Sequence, residues 1–125
     1  MRTRLPLLVI AFWACVQIGC GNDSARVGAA ITGGDAARGP AAIFRYGCGS
    51  CHTIKGIPNA RGMVGPPLTG LRDRTVVAGM LINTPENLTH WIEQPKSVNP
   101  KTAMPQLGVT GRDATDIAAY LYSLN

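Results

Sequence analysis

Two thiols and an imidazole packed into Cys48-Gly49-Ser50-Cys51-His52 restrict this chain more than any other stretch of it. Residues three and four apart on one turn of helix share a face, so both sulfurs and the ring can meet a single flat ligand. C-x-x-C-H is the attachment pattern of a c-type haem. Cys48 and Cys51 would form thioethers to the porphyrin vinyl groups, and His52 would ligate the iron from the proximal side. A chain that holds haem in this way is organised around it.

Two other uses of the cysteines predict different surroundings. A redox dithiol expects a βαβ context with buried apolar strands, and no such runs are present. A zinc site needs more ligands than this stretch supplies. The remaining cysteines are Cys15 and Cys20, both near the N-terminus, and no second C-x-x-C or H-x-x-x-H pair follows. The pattern favours haem.

Arg2 and Arg4 precede an apolar run from Leu5 to Ile18, interrupted by Pro6 and Gln17. The run is too short to span a bilayer and has the charged-then-apolar order of an export signal. Residues 1–19 are therefore expected to be a signal peptide that delivers the chain to the periplasmic side of a bacterial membrane, which suits haem attachment to exposed thiols. Ile18-Gly19-Cys20 resembles a lipoprotein box, in which Cys20 becomes the lipidated first residue, although Gln17 departs from the usual leucine. Ordinary cleavage nearby and an uncleaved anchor are the alternatives. Several acyl chains on Cys20 would hold the protein at the membrane where one would be marginal.

Without Arg2 and Arg4 the formal charge falls from +5 to +3, and haem propionates would lower it further. So mild a balance predicts neither nucleic-acid nor strong anionic-lipid binding. A basic patch at the haem edge would still steer an acidic partner. A chain of this size has a modest core, and small domains often need a metal or cofactor to complete it.

Residues 20–34 are small and polar, without apolar periodicity, and read as a flexible tether; the folded domain is expected over 35–125. Asp35 to Tyr46 should be a first helix that buries Ile43 and Phe44. Pro40 inside it would remove a hydrogen bond and crowd Ala36, so the helix either starts near Pro40 or kinks there. The loop from Gly56 to Gly70 has neither helical nor strand periodicity. A buried ligand histidine usually donates its second ring nitrogen to a carbonyl, and Pro66 is the candidate acceptor unless Gly65-Pro66-Pro67 is merely a turn.

Thr84-Pro85-Glu86 predicts a helix start, with Leu88, Trp91 and Ile92 on one face and Pro95 at the end. His90, on another face, reads as a solvated surface residue and not an iron ligand. Thr110 and Asp113 form a capping-box pattern ahead of a last helix, where Ile117, Tyr120, Leu121 and Leu124 repeat at helical spacing and should pack on the first. For the sixth iron position, a thioether raises the potential and closes the site. Met63 lies in the proximal loop and Met80 in an apolar run where core packing is the better role. Met104, in a rigid loop before Pro105, is the preferred ligand.

These motifs, in the order Cys48 to His52, Gly65-Pro66-Pro67-Leu68-Thr69-Gly70-Leu71, Leu88 to Met104 and Ala119-Tyr120-Leu121, resemble those of class I c-type cytochromes. The resemblance spans 35–125 and implies an all-α fold of short helices and loops around one covalent haem c. It implies that His52 and Met104 ligate the iron, Pro66 accepts the His52 hydrogen bond, and Trp91 packs on the haem near Met104. It further implies that Phe44 meets the last helix beside Tyr120, and that Arg74 and Asn83 contact a propionate. Val77 to Leu88 and Trp91 to Pro95 are similar in particular to the cytochrome c domain fused to subunit II of bacterial haem-copper oxidases. The copper-binding domain has no counterpart, since no second cysteine pair or histidine cluster precedes residue 40, and Pro40 departs from the family's small or charged residue.

The implied role is single-electron transfer from a quinol-oxidising complex towards a terminal oxidase, with no small-molecule substrate. A peroxidase or gas sensor would need an open sixth position and a distal base, which His90 is badly placed to supply. A permanent subunit of a larger redox complex is the remaining alternative.

Overall fold

Small residues, not large ones, open the fold. A computed structural model describes residues 23–124, in which α1 (Asp23–Thr32) is a helix lying along the last helix, α5 (Gly111–Ser123). The sequence had predicted a tether here; the expected signal peptide, Cys20 and the first residues of that tether lie outside the described residues. The contact is main chain against main chain. A Cβ on Gly28 would stand 2.1 Å from the Ala119 carbonyl oxygen, and one on Gly34 would stand 2.2 Å from that of Thr115. Backbones that close leave no large apolar side chains between them, so the sequence shows no stripe to announce the helix. Thr32 ends α1 by donating to the Gly28 carbonyl at 2.9 Å and accepting from the Gly34 N–H at 3.1 Å.

Next comes an ionic tie. The carboxylate of Asp116, on α5, is buried and accepts from the Asp35 N–H at 2.7 Å and from Arg38 Nε at 2.6 Å and Nη2 at 3.0 Å. It joins the entry of α2 (Gly39–Arg45) to α5. Pro40 sits in the first turn of α2, where no N–H is needed, so the helix starts there and does not kink. Ile43 is fully buried, as expected. Phe44 is not: it is 63% exposed. With Gly39, Ala42 and Ile43 facing inward, the next residue is turned about 100° away, into solvent.

The apolar run that contains Met80, Val76 to Ile82, is a small antiparallel hairpin. Its strands are β1 (Val76–Val77) and β2 (Leu81–Ile82), paired Val76 to Ile82 and Val77 to Leu81. Ala78 and Gly79 carry positive φ of 55° and 73° in the turn, a combination that tight hairpins require. Only Val77 of the hairpin is buried, and Met80 is 55% exposed, which removes Met80 from the core. The chain is otherwise mostly helical.

Helix α3 (Pro85–Glu93) starts as predicted, with Thr84 accepting from the Asn87 N–H at 3.2 Å and proline in the first turn. It buries Leu88 and Ile92, and a short α4 (Pro95–Val98) follows. His90 is exposed and bonds Ser97 at 3.1 Å. At the start of α5, Thr110 donates to Asp113 at 3.0 Å, but Asp113 turns to the Tyr46 hydroxyl at 2.7 Å and to Arg45 at 2.8 Å, so the pair links α5 to α2 where a backbone cap was expected. Helix α5 buries Ala114, Ile117, Ala118, Ala119, Leu121 and Tyr122. It touches α1, α2 and α3 and is the axis of the fold.

Candidate haem site

Helix α2 delivers the chain to Gly47, whose φ of 70° turns it into a 3-10 turn over Cys48–Ser50. The N–H groups of Cys51 and His52 both bond the Cys48 carbonyl, at 3.2 and 3.0 Å. The two thiols are half-buried and unpaired. Burial pushes the Cys48 thiol above its ordinary value, so it stands as a neutral thiol at neutral pH.

The following loop folds back over the histidine. Gly65 N–H bonds the Cys51 carbonyl at 2.8 Å, and Leu68 N–H bonds that of Thr53 at 3.0 Å. A Cβ on Gly65 would lie 2.2 Å from His52 Cε1 and 2.6 Å from Nδ1, so only glycine allows the backbone to cover the ring. The His52 Nδ1 then meets the Pro66 carbonyl at 2.8 Å. A carbonyl only accepts, so the proton resides on Nδ1 and Nε2 keeps its lone pair for a metal.

Beside this ring opens an apolar cavity of about 550 Å³. Every residue predicted to bind cofactor borders it except Asn83: Cys48, Cys51, His52, Pro66, Arg74, Trp91 and Met104 are all on its wall. Of the methionines considered, Met104 alone is there, since Met63 is 91% exposed and neither it nor Met80 borders the cavity. Its loop is held by the Met104 N–H on Thr102 Oγ1 at 3.1 Å and by Lys96, whose ammonium bonds the Thr102 carbonyl. A concave, mostly apolar site of this size with a few convergent polar groups suits a large flat ligand.

A family model described as cytochrome c matches residues 36–125. The chain belongs to the cytochrome c family. Among curated proteins, it is 37% identical over 78 residues to cytochrome c oxidase subunit 2 of Alkalihalophilus pseudofirmus, which covers 62% of this chain and 22% of that protein. It is 33% identical over 87 residues to cytochrome c oxidase subunit 2 of Bacillus sp. strain PS3, covering 66% of this chain and 24% of that one. The chain thus matches about a quarter of the length of these relatives. No solved structure matches it.

The cavity fits the haem c that a cytochrome c implies. Its wall brings together two free thiols at the attachment spacing, an imidazole whose Nδ1 is already engaged and a thioether. Among the described residues, no cluster of three or more His, Cys, Asp or Glu side chains offers a separate metal site.

Two parts of the site differ from expectation or were missed. Asn83 spends its amide on the protein itself: Nδ2 donates to the carbonyls of Leu71 at 2.8 Å and Arg74 at 2.7 Å, and Oδ1 accepts from the Tyr122 hydroxyl at 2.6 Å. The expected propionate contact is therefore not available to it. The hairpin residues Val76 to Gly79 were not anticipated as cavity wall; strands two residues long leave no alternation to detect. Tyr46 also borders the cavity, with its hydroxyl on Asp113, and only its position just before the haem motif hinted at this.

Proposed function

We propose that the chain is a mono-haem class I cytochrome that passes single electrons between respiratory-chain partners, with His52 and Met104 as the two iron ligands. The observation that carries this reading is that His52, Met104 and both thiols share one apolar cavity. Haem bound there would supply a one-electron ferrous/ferric couple. The chain's own residues set its terms: Pro66 holds the proton on His52 Nδ1, Gly65 covers the ring, and the Met104 thioether favours a higher potential and a closed site. Trp91 and the aliphatic wall exclude water. Arg74 brings positive charge to the wall, suited to a propionate.

The kinship with oxidase subunits supports a terminal oxidase as acceptor and a quinol-oxidising complex as donor. Those relatives also carry the matched region inside a longer subunit, which favours a second reading in which the chain docks permanently in a complex; copurification at fixed stoichiometry separates the two. Among the described residues no helix is long and apolar enough to cross a membrane. The attachment proposed is lipid on Cys20 after loss of residues 1–19, on the periplasmic side, and the mass of the N-terminal peptide tests it.

The test of function is expression with the native leader, followed by visible spectra of the wild type and Met104→Ala. Both should carry covalent haem, and the variant alone should bind external imidazole or carbon monoxide readily. Colourless protein, or pigment released into acidified acetone, would overturn the haem assignment. Identical ligand binding would overturn that of Met104.

A further inference from the structure

Asn83 and Tyr122 lie off the cavity wall, yet both are spent on the segment that supports His52. The Tyr122 side chain is buried and its hydroxyl donates to Asn83 Oδ1 at 2.6 Å. The Asn83 amide in turn holds the carbonyls of Leu71 and Arg74, at 2.8 and 2.7 Å, which fixes the backbone on both sides of the 3-10 turn Leu71–Asp73. From that fixed position the Arg74 guanidinium reaches back to the carbonyls of Pro67 and Thr69. Both lie within the Gly65 to Gly70 loop, whose Pro66 carbonyl accepts the hydrogen bond from His52 Nδ1–H. A parallel tie runs from Gly70 N–H to the Leu124 carbonyl at 2.9 Å.

We propose that Tyr122 and Asn83 are positioning residues which, through Arg74, lock the Pro66 loop to the end of α5 and so fix the orientation of the His52 ring. Hydrogen bonds and short stretches of covalent chain thus alternate from a tyrosine on the C-terminal helix, through Asn83, Arg74 and the Pro66-Pro67 peptide, to the ligand imidazole. Asn83 is the hub, with Nδ2 on two carbonyls and Oδ1 on the Tyr122 hydroxyl. It adds side-chain ties to a segment that the main chain holds only through the Arg74 N–H on the Leu71 carbonyl at 3.2 Å, the Asp73 N–H on the Gly70 carbonyl at 3.3 Å and the Gly70 N–H on the Leu124 carbonyl. Burial pushes the Tyr122 hydroxyl above its ordinary value, so it remains a neutral donor across physiological pH. The role differs from a propionate contact, because Asn83 faces α5 and not the cavity. It rests on the proposed ligation by His52.

The test compares Tyr122→Phe and Asn83→Leu with Thr32→Val, which removes a hydroxyl bonded to main chain on α1, away from the cavity. Hydrogen exchange is read at the amides of Leu68 and Gly70, which close the loop, and at those of α5. The His52 ring N–H resonance and the midpoint potential are read on the haem-loaded protein. Tyr122→Phe should speed loop exchange by about fivefold to tenfold, the scale of one lost hydrogen bond, and Asn83→Leu, which removes three, by more; both should leave α5 unchanged and move the ring resonance and the potential. Thr32→Val should move none of these. Loop exchange and ring signals matching those of Thr32→Val would overturn the proposal, and so would an acceleration spread evenly over α5. Should Asn83→Leu fail to fold, Tyr122→Phe, which lacks a single oxygen, decides alone. Colourless wild-type protein would defeat the haem reading instead, and the loop-exchange comparison would still stand.

Discussion

Replacing Gly28 by alanine sets helix propensity against packing, and the two predict opposite signs. In an unattached segment, glycine to alanine inside a helix is favourable by about 1 kcal/mol. In the docked α1 the new methyl carbon would lie 2.1 Å from the Ala119 carbonyl oxygen, where ordinary contact begins near 3.4 Å. Main chain cannot rotate out of the way, so α1 would have to retreat by about 1.3 Å, and a gap of 0.5–1 Å already forfeits a quarter to a half of the dispersion energy across it. Overpacking of this kind costs about 1–3 kcal/mol, which leaves a net loss of up to about 2 kcal/mol. At the upper end that corresponds to a fall in Tm of roughly 8–16 °C for a domain of this size. Thermal unfolding followed by far-ultraviolet circular dichroism measures it, with limited proteolysis reporting whether residues 23–34 become accessible. Ala30→Gly, on the exposed side of α1, is the companion: it loses about 1 kcal/mol through propensity alone. Docked, Ala30→Gly melts below the wild type and Gly28→Ala melts no higher than it; undocked, Gly28→Ala gains what Ala30→Gly loses. A Gly28→Ala protein more stable than the wild type would refute the docking of α1.

Other perturbations test the site and its supports. Gly65→Ala places a carbon 2.2 Å from the His52 ring, so the exported protein should retain covalent haem yet bind external imidazole more readily than the wild type; unchanged affinity would show that the ring tolerates the methyl. The hydrogen bond from Arg38 holds the Asp116 carboxyl below its ordinary value of 3.8 against the opposing effect of burial, and the Tyr46 hydroxyl does the same first for Asp113. Folded values below unfolded ones mean stability that is fully present above the ordinary value and lost as pH falls through the folded one. Melting temperature should therefore drop on the acid side of about pH 4, and Asp116→Asn should flatten that drop. A variant with the same acid slope as the wild type would remove Asp116 from the account.

What the sequence made legible was the chemistry carried by neighbours along the chain. The thiols and imidazole of Cys48 to His52 lie on one turn, Pro66 follows in a loop too short and too rich in proline to go elsewhere, and Thr84-Pro85 caps its own helix. The Met104 placement also followed from its immediate context. What escaped depends on partners distant in the chain. α1 docks through glycine, which has no hydropathy signature. Phe44 and Ile43 are adjacent and equally apolar, and only the direction of α5 decides which is buried. Asn83 was assigned to the cofactor through family likeness, but Tyr122, almost forty positions later, claims its carbonyl oxygen.

On the proposed lipidation of Cys20, the docking of α1 would also shorten the leash on the domain. Had residues 20–34 been coil, they would have let it roam up to about 50 Å from such a lipid. With α1 seated on α5, only residues 20–22 would separate the lipid from the folded body, a reach of no more than about 10 Å. A domain held so short would skim the bilayer, and would meet partners whose own redox centres come down to the lipid surface.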